Sequence, residues 1–262
     1  MRLIAPDIAA AAAILAERRR QGLAGPCLPA NLRPHTLDEA MAIQAAIVPL
    51  MGQGVAGWKC GTPGPDKLVV APIYAGTVHR TSPCPVWAHD GEVRVEPELA
   101  FVFGADLPVR DEPYKPHEVD AALSSTHLAL ELIDSRYSDP STLTFADKLA
   151  DGLVNQGLFI GPAVDAEQAA AMHTMSIDIC VSGMTIQARA GQHPDPLPRL
   201  PLYWLAEYLR STGLGLKAGQ VVITGSYAGT FPLPVDRAVN MRFGELGELL
   251  VQFSARARST SI

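Results

Sequence analysis

Two glutamates two residues apart, Glu96 and Glu98 in the run VEPELAFVF, are the residues whose type and spacing first suggest chemistry. The run reads as a β-strand, on which alternate side chains share a face. Glu96, Glu98, Ala100 and Val102 then point one way, while Val95, Leu99, Phe101 and Phe103 point towards a core. Strand rise separates the two Glu Cα atoms by about 6.6 Å, close enough for both carboxylates to converge on one ion. With nothing between them they repel, by roughly 4 kcal/mol for charges ~4 Å apart at an effective dielectric near 20. The competing explanation is a Glu pair on the solvated face of an edge strand, with Pro97 marking the edge. A second strand-like run, HLALELIDSRY, favours the ion. Its Glu131 lies in the apolar segment Leu128 to Ile133, where a solvated face is hard to find. A buried carboxylate requires a partner, a cation or a proton. Three carboxylates with no His or Cys among them are hard oxygen donors, suited to Mg²⁺ or Mn²⁺ and poorly suited to Zn²⁺. A divalent metal held by Glu96, Glu98 and Glu131 is the leading expectation.

The elements that must position these residues are legible in outline. Asp7 to Gln21 reads as an alanine-rich helix with a basic last turn. A second helix starts at Thr36, where Thr36 and Glu39 form a capping box, and carries the stripe Ala40, Ile43, Ile47 and Leu50. GWKCG follows, with Lys59 between Trp58 and Cys60; a lysine snorkelling at a strand end is its bland explanation. Pro116 opens a short helix to about Ser124 that delivers the chain to the Glu131 strand, and Ser138 to Asp147 reads as polar and turn-prone. In DGLVNQGLFIG, Gly152 and Gly157 suggest a backbone that approaches a ligand or bends tightly. Met175 to Ala188 alternates around Ser182-Gly183 as a hairpin, Pro201 to Ser211 is helical, and Val221 to Thr224 is a buried strand. VNMRF and ELLVQF form a last hairpin. Strands dominate the second half without a βαβ rhythm, so the fold class is α+β with a central β-roll or barrel. The division is an N-terminal helical portion, residues 1–56, and a β-rich catalytic domain, residues 57–262.

The 262 residues, 48% hydrophobic and 18% charged, can bury a sizeable core. A net charge of −6, with Arg and Lys scattered apart from Arg18-Arg19-Arg20, excludes a nucleic-acid footprint. Cys27, Cys60, Cys84 and Cys180 form no ligand-type pair and read as thiols of a reducing compartment. The Ala-rich run near the N-terminus has the wrong charge order for a secretory signal and is too short to span a bilayer. A cytoplasmic protein without nucleic-acid or membrane partners is expected.

The order GWK, E-x-E, LELIDSR, ITGS and F-G-x-L-G resembles that of the 2-hydroxypenta-2,4-dienoate (2-keto-4-pentenoate) hydratases and 4-oxalocrotonate decarboxylases, within the fumarylacetoacetate hydrolase superfamily. The resemblance runs from ERRRQG and TLDEAMAIQ near the start to RFGELG near the end. It implies a mixed β-roll core with a small N-terminal helical portion, Mg²⁺ or Mn²⁺ on Glu96, Glu98 and Glu131, and a homo-oligomer. It makes Lys59 the active-site lysine and Ser226, with Thr224, the substrate-contacting turn; Asp151 and Gly157 join them as substrate-binding positions. Two departures stand out. The loop CGTPGPDKLVVAPIYAG lacks the acid this family carries after GWK, and D-G-L-V replaces its D-N-A-S. Both bear on the substrate tail and the proton relay, not on the metal ligands.

Three carboxylates and a divalent ion suit enolate stabilisation of a 2-oxo acid. The implied reaction is hydration of a 2-hydroxy-2,4-dienoate, as in aromatic-compound degradation, with Lys59 neutralising substrate charge or donating a proton. The alternatives are decarboxylation of the 4-oxalocrotonate type, C–C hydrolysis of acylpyruvates using His35 and a neighbouring Glu, and a non-catalytic ligand-binding relative.

Overall fold

Alanine and a terminating glycine set the first element. The computed structural model describes residues 2–258, and α1 (Ala5–Gln21) ends where Gly22 takes a left-handed φ of 65°. Its buried Ala11, Ala12, Leu15 and Ala16 pack on α2 (Leu37–Leu50) through Ala40, Ile43 and Ile47. Thr36 caps α2 by accepting the Glu39 N–H at 3.2 Å. The capping box is only half formed, because the Glu39 carboxylate accepts instead from the N–H groups of Leu3 and His35, each at 2.8 Å.

The strands are β1 (Val55–Cys60), β2 (Val70–Tyr74), β3 (Val78–His79), β4 (Cys84–Val86) and β5 (Glu92–Phe103). After α3 (Pro116–Ala121) come β6 (Leu123–Ile133), α4 (Phe145–Ala150), β7 (Asn155–Val164) and α5 (Ala166–Ala171). Then β8 (Thr174–Val181) and β9 (Met184–Gln192) precede α6 (Leu200–Ser211) and β10 (Val221–Ile223). The chain closes with β11 (Phe231–Pro234), β12 (Ala238–Phe243) and β13 (Gly247–Ala255). One sheet has the order β2-β1-β10-β5-β6-β7-β3, with β11 also on β5; the other is β4-β13-β12-β8-β9. Both are mixed: β1 runs parallel to β10, β3 to β7 and β4 to β13. The fold is therefore α+β with helices around a two-sheet core.

The two faces of β5 divide as alternation requires. Val95, Leu99, Phe101 and Phe103 enter the main core, which also holds Leu128 and Leu130 of β6 and Ile177, Met241 and Leu249 of the second sheet. Burial of each such side chain contributes about 1.5–3 kcal/mol. The opposite face carries a smaller cluster, with Ile73, Ala100, Ala129, Leu158 and Ile223, and on that face lie Glu96 and Glu98. Two elements differ from the sequence reading. α3 stops at Ala121, and β6 begins at Leu123. The polar stretch before Asp147 turns into α4, whose Asp147 is buried because Arg33 and the Thr144 cap satisfy it. Among the described residues no helix is long and apolar enough to cross a membrane.

Candidate active site

Register brings the carboxylates together. In the antiparallel β5–β6 ladder Glu131 sits directly opposite Glu96, and Ala129 opposite Glu98, so the glutamates share one face. One oxygen from each of Glu96, Glu98 and Glu131 lies within 4.8 Å of the others. Glu98 and Glu131 are 2% and 0% exposed, Glu96 is half-buried, and β5 lies inside the sheet between β10 and β6, so the solvated-edge explanation for Glu96 and Glu98 fails. Each carboxylate is also held from outside. Thr230 donates its hydroxyl to Glu96. The Gly225 N–H donates to Glu98 Oε2 at 2.7 Å, and Asn155 Nδ2 donates to Glu131 Oε1 at 2.9 Å.

Lys59 on β1 reaches the same cluster. Its Nζ lies 2.6 and 2.7 Å from the two Glu131 oxygens and 3.3 Å from the Leu153 carbonyl. The ammonium therefore turns to the carboxylates, not to bulk water. Burial works against its charge, but Glu131, Glu96 and Glu98 outweigh burial and raise its pKa. Burial, reinforced by Glu131 and Glu96, pushes the Glu98 carboxyl well above its usual range. Burial also raises Glu131, despite the opposing pull of Lys59. Three carboxylates face one ammonium, a formal excess of two negative charges on hard oxygen donors. That excess and that donor set fit a divalent ion of the Mg²⁺ class.

The turn before β7 is strained. Gly152, Leu153 and Val154 take consecutive positive φ values of 74°, 53° and 58°. For a β-branched residue such as Val154 this costs of order 1–3 kcal/mol. The turn aims the Leu153 carbonyl at Lys59 and starts β7 so that Asn155 meets Glu131.

The remaining anticipated residues lie at varying distance from the carboxylates. Thr224 is buried, with Oγ1 3.3 Å from His193 Nε2, and directly precedes Gly225 on Glu98. Ser226 sits between Gly225 and Tyr227, both docked on β5, but its hydroxyl donates to the Gly229 carbonyl at 3.3 Å. Asp151 is 1% exposed, with Oδ1 2.5 Å from Arg136 Nε, and it anchors the strained turn without reaching the carboxylate cluster. At Gly157 a side chain would meet the Thr77 carbonyl at 2.4 Å, so the close approach there is to neighbouring backbone. Glu39 is held by the His35 and Leu3 amides, which lower its pKa.

Sequence reasoning missed Thr230, Asn155 and His193. Asn155 lies between Gly152 and Gly157 of DGLVNQGLFIG, and His193 precedes the Pro-rich stretch 194–201, which carries no chemical pattern. A groove of about 790 Å³ is lined by Trp87, Ile133, Tyr137, Lys148, Val154 and Thr230 among others, and reaches the cluster through Thr230, the donor to Glu96.

No family model matches the chain. A 2-oxo-hept-4-ene-1,7-dioate hydratase of Escherichia coli is 24% identical over 239 residues, 83% of this chain and 87% of that protein. A 4-oxalocrotonate decarboxylase of a Pseudomonas species is 27% identical over 166 residues, 62% of this chain and 61% of that protein. The 4-oxalocrotonate decarboxylase of Pseudomonas putida G7, solved with magnesium and adipate, matches with a TM-score of 0.77 at 18% identity, over 97% of this chain and 99% of that one. A fumarylacetoacetate hydrolase family protein of Yersinia pestis matches with a TM-score of 0.52 at 16% identity, over 77% of this chain and 94% of that one. The chain is a homologue of this hydratase and decarboxylase group, on the fold of the fumarylacetoacetate hydrolase family.

Proposed function

We propose that the chain is a divalent-metal-dependent hydro-lyase acting on a 2-hydroxy-2,4-dienoate, through 2-oxo acid enolate chemistry. The observation that carries the proposal is the buried cluster of Glu96, Glu98 and Glu131 with Lys59 against it. The hydratase match over most of both chains supports the reaction class. Glu96, Glu98 and Glu131 would hold the ion. When bound it supplies Lewis-acid stabilisation of the negative charge that develops on the 2-oxo oxygen; Mg²⁺ or Mn²⁺ suits the donors best.

The protein's own residues do the rest. Lys59 has three donors and a raised pKa, so it stays charged at neutral pH and neutralises substrate charge or donates a proton at the enol oxygen. Asn155, Thr230 and the Gly225 N–H fix the carboxylate rotamers, which keeps their orientation independent of the substrate. Thr224 and Ser226, on the turn beside Glu98, orient the substrate carboxylate. Asp151 acts through the turn that it anchors. The 790 Å³ groove receives the tail, with Trp87, Tyr137, Ile133 and Val154 for its apolar part and Arg94 and Lys148 for any charge on it. Self-association is part of the proposal, and β9 leaves Met184 and Ile186 70% and 55% exposed for it. A cytoplasmic location accords with its unpaired cysteines.

Decarboxylation is the second reading, favoured by the decarboxylase relative. Acylpyruvate hydrolysis loses support because Glu39 is already spent on backbone amides. A metal-supplemented screen of 2-hydroxydienoic and 2-oxo acids with product identification decides among these. A 4-hydroxy-2-oxo acid is the expected product. Carbon dioxide from a 2-oxo-dioate moves the assignment to decarboxylation, and oxalate binding without turnover leaves a binding protein.

A further inference from the structure

Away from the carboxylates, four arginines from three distant segments line one pocket. Arg19 and Arg20 come from the last turn of α1, Arg136 from the end of the LELIDSR run, and Arg256 follows β13. The pocket measures about 280 Å³, and no carboxylate is among the residues that line it. Behind the wall, Asp151 serves two buried guanidiniums at once. Its Oδ1 is 2.5 Å from Arg136 Nε and 4.0 Å from Arg19 Nη2, and Arg19 and Arg136 are 8% and 1% exposed. Arg20 pairs with Glu17 at the half-exposed rim. Arg256 stands 5.0 Å over the Trp87 ring and forms no ion pair among the described residues. Four guanidiniums thus stand against two carboxylates, Asp151 and Glu17, around the pocket.

We propose that this pocket binds a small oxyanion carrying two negative charges, of the phosphate or dicarboxylate class. Guanidinium forks match the oxygens of either group bidentately, and the two buried guanidiniums that share the single Asp151 carboxylate leave positive charge for a second anion. Burial and the neighbouring Arg136 lower the Arg19 pKa to about 10, outweighing the opposing pull of the shared Asp151. Gln53 adds a donor: its Oε1 accepts the Gly76 N–H at 2.9 Å, leaving its amide NH₂ for the anion. The bound anion ties α1 to the chain after β13. It also sits one hydrogen bond from the active-site scaffold, because Arg19 donates to the Asn155 carbonyl at 2.6 Å.

The test is thermal unfolding of the metal-free full chain, titrated with phosphate or succinate against chloride at equal ionic strength. Metal-free protein separates this site from the carboxylate cluster, so failure here leaves the proposed reaction untouched. Saturation by one of the two anions should raise Tm by about 5 °C, as expected for a ligand well above its Kd and a domain of this size. The anion that saturates at lower concentration identifies the class. The variant Arg20→Ala/Arg256→Ala leaves the buried Arg19–Asp151–Arg136 group intact and should weaken the response at least ten-fold. The readout is the ligand-induced shift, so a lower baseline Tm in that variant does not matter. Equal shifts with chloride, or an undiminished response in the double variant, overturn the proposal.

Discussion

Replacing Glu98 by Gln should stabilise the metal-free protein and abolish its response to metal. Glu98 is 2% exposed, and one of its oxygens lies within 4.8 Å of a Glu96 and a Glu131 oxygen. Two unit charges at that separation repel by about 3.5 kcal/mol at an effective dielectric near 20. Lys59 contacts Glu131, so its compensation falls mainly on Glu131 and leaves much of the Glu98 repulsion in place. The Gly225 N–H that now donates to Glu98 can donate equally to the Gln carbonyl. The sign follows from the pKa. A carboxyl whose folded pKa is raised above its ordinary 4.5 binds its proton more tightly in the folded state. Its contribution to stability is present below about pH 4.5 and is lost as pH rises to the raised value. Metal-free wild type and Glu98→Gln should therefore agree near pH 4.5 and diverge above it, with the variant ahead by roughly 2–3 kcal/mol at pH 8. At about 2–4 °C per kcal/mol for a chain of this class, that is roughly 4–12 °C in Tm. Adding Mg²⁺ or Mn²⁺ should reverse the order by stabilising wild type alone. Differential scanning fluorimetry of chelator-stripped protein across pH reads both effects. A metal-free variant less stable than wild type at pH 8, or a parallel pH dependence, refutes the reasoning.

Lys59→Met, assayed with metal present, should lower kcat about 10²- to 10³-fold while Tm changes by only a few degrees, because the ion takes over the charge balance; wild-type rates would return Lys59 to a packing role. Asn155→Ala removes the donor that orients Glu131, so calorimetric titration should show metal affinity reduced about 10- to 100-fold, and unchanged affinity would show that the hydrogen bond is dispensable. Val154→Gly relieves a positive φ of 58° and should stabilise the chain by roughly 1 kcal/mol in denaturant unfolding, with a loss of turnover if the turn aims Leu153 at Lys59.

The carboxylate cluster was legible because strand alternation has a strict period. Once Val95, Leu99 and Phe101 were placed in the core, Glu96 and Glu98 had to share the other face. The register that sets Glu131 opposite Glu96 was not legible, since cross-strand pairing depends on the whole sheet. Thr230 was missed for a related reason: β11 returns to β5 across a long connection, and nothing local marks its hydroxyl. The helix α4 was lost because buried Asp147 made its segment look like a polar turn, although Thr144 and Asp147 spell its N-terminal cap. The pairing of Asp151 with Arg136 and Arg19, the latter distant in sequence, was not legible either. Charge pairing of that kind is a tertiary property, and residue types alone do not disclose it.

The most direct measurement is turnover of a 2-hydroxy-2,4-dienoate by chelator-stripped protein as Mn²⁺ is returned in substoichiometric steps, with product followed by proton NMR. No consumption is expected without metal, and conversion to a 4-hydroxy-2-oxo acid should then rise in proportion to added ion until one equivalent per chain is bound at Glu96, Glu98 and Glu131. Full turnover in the stripped protein, or none at any metal concentration, contradicts the account.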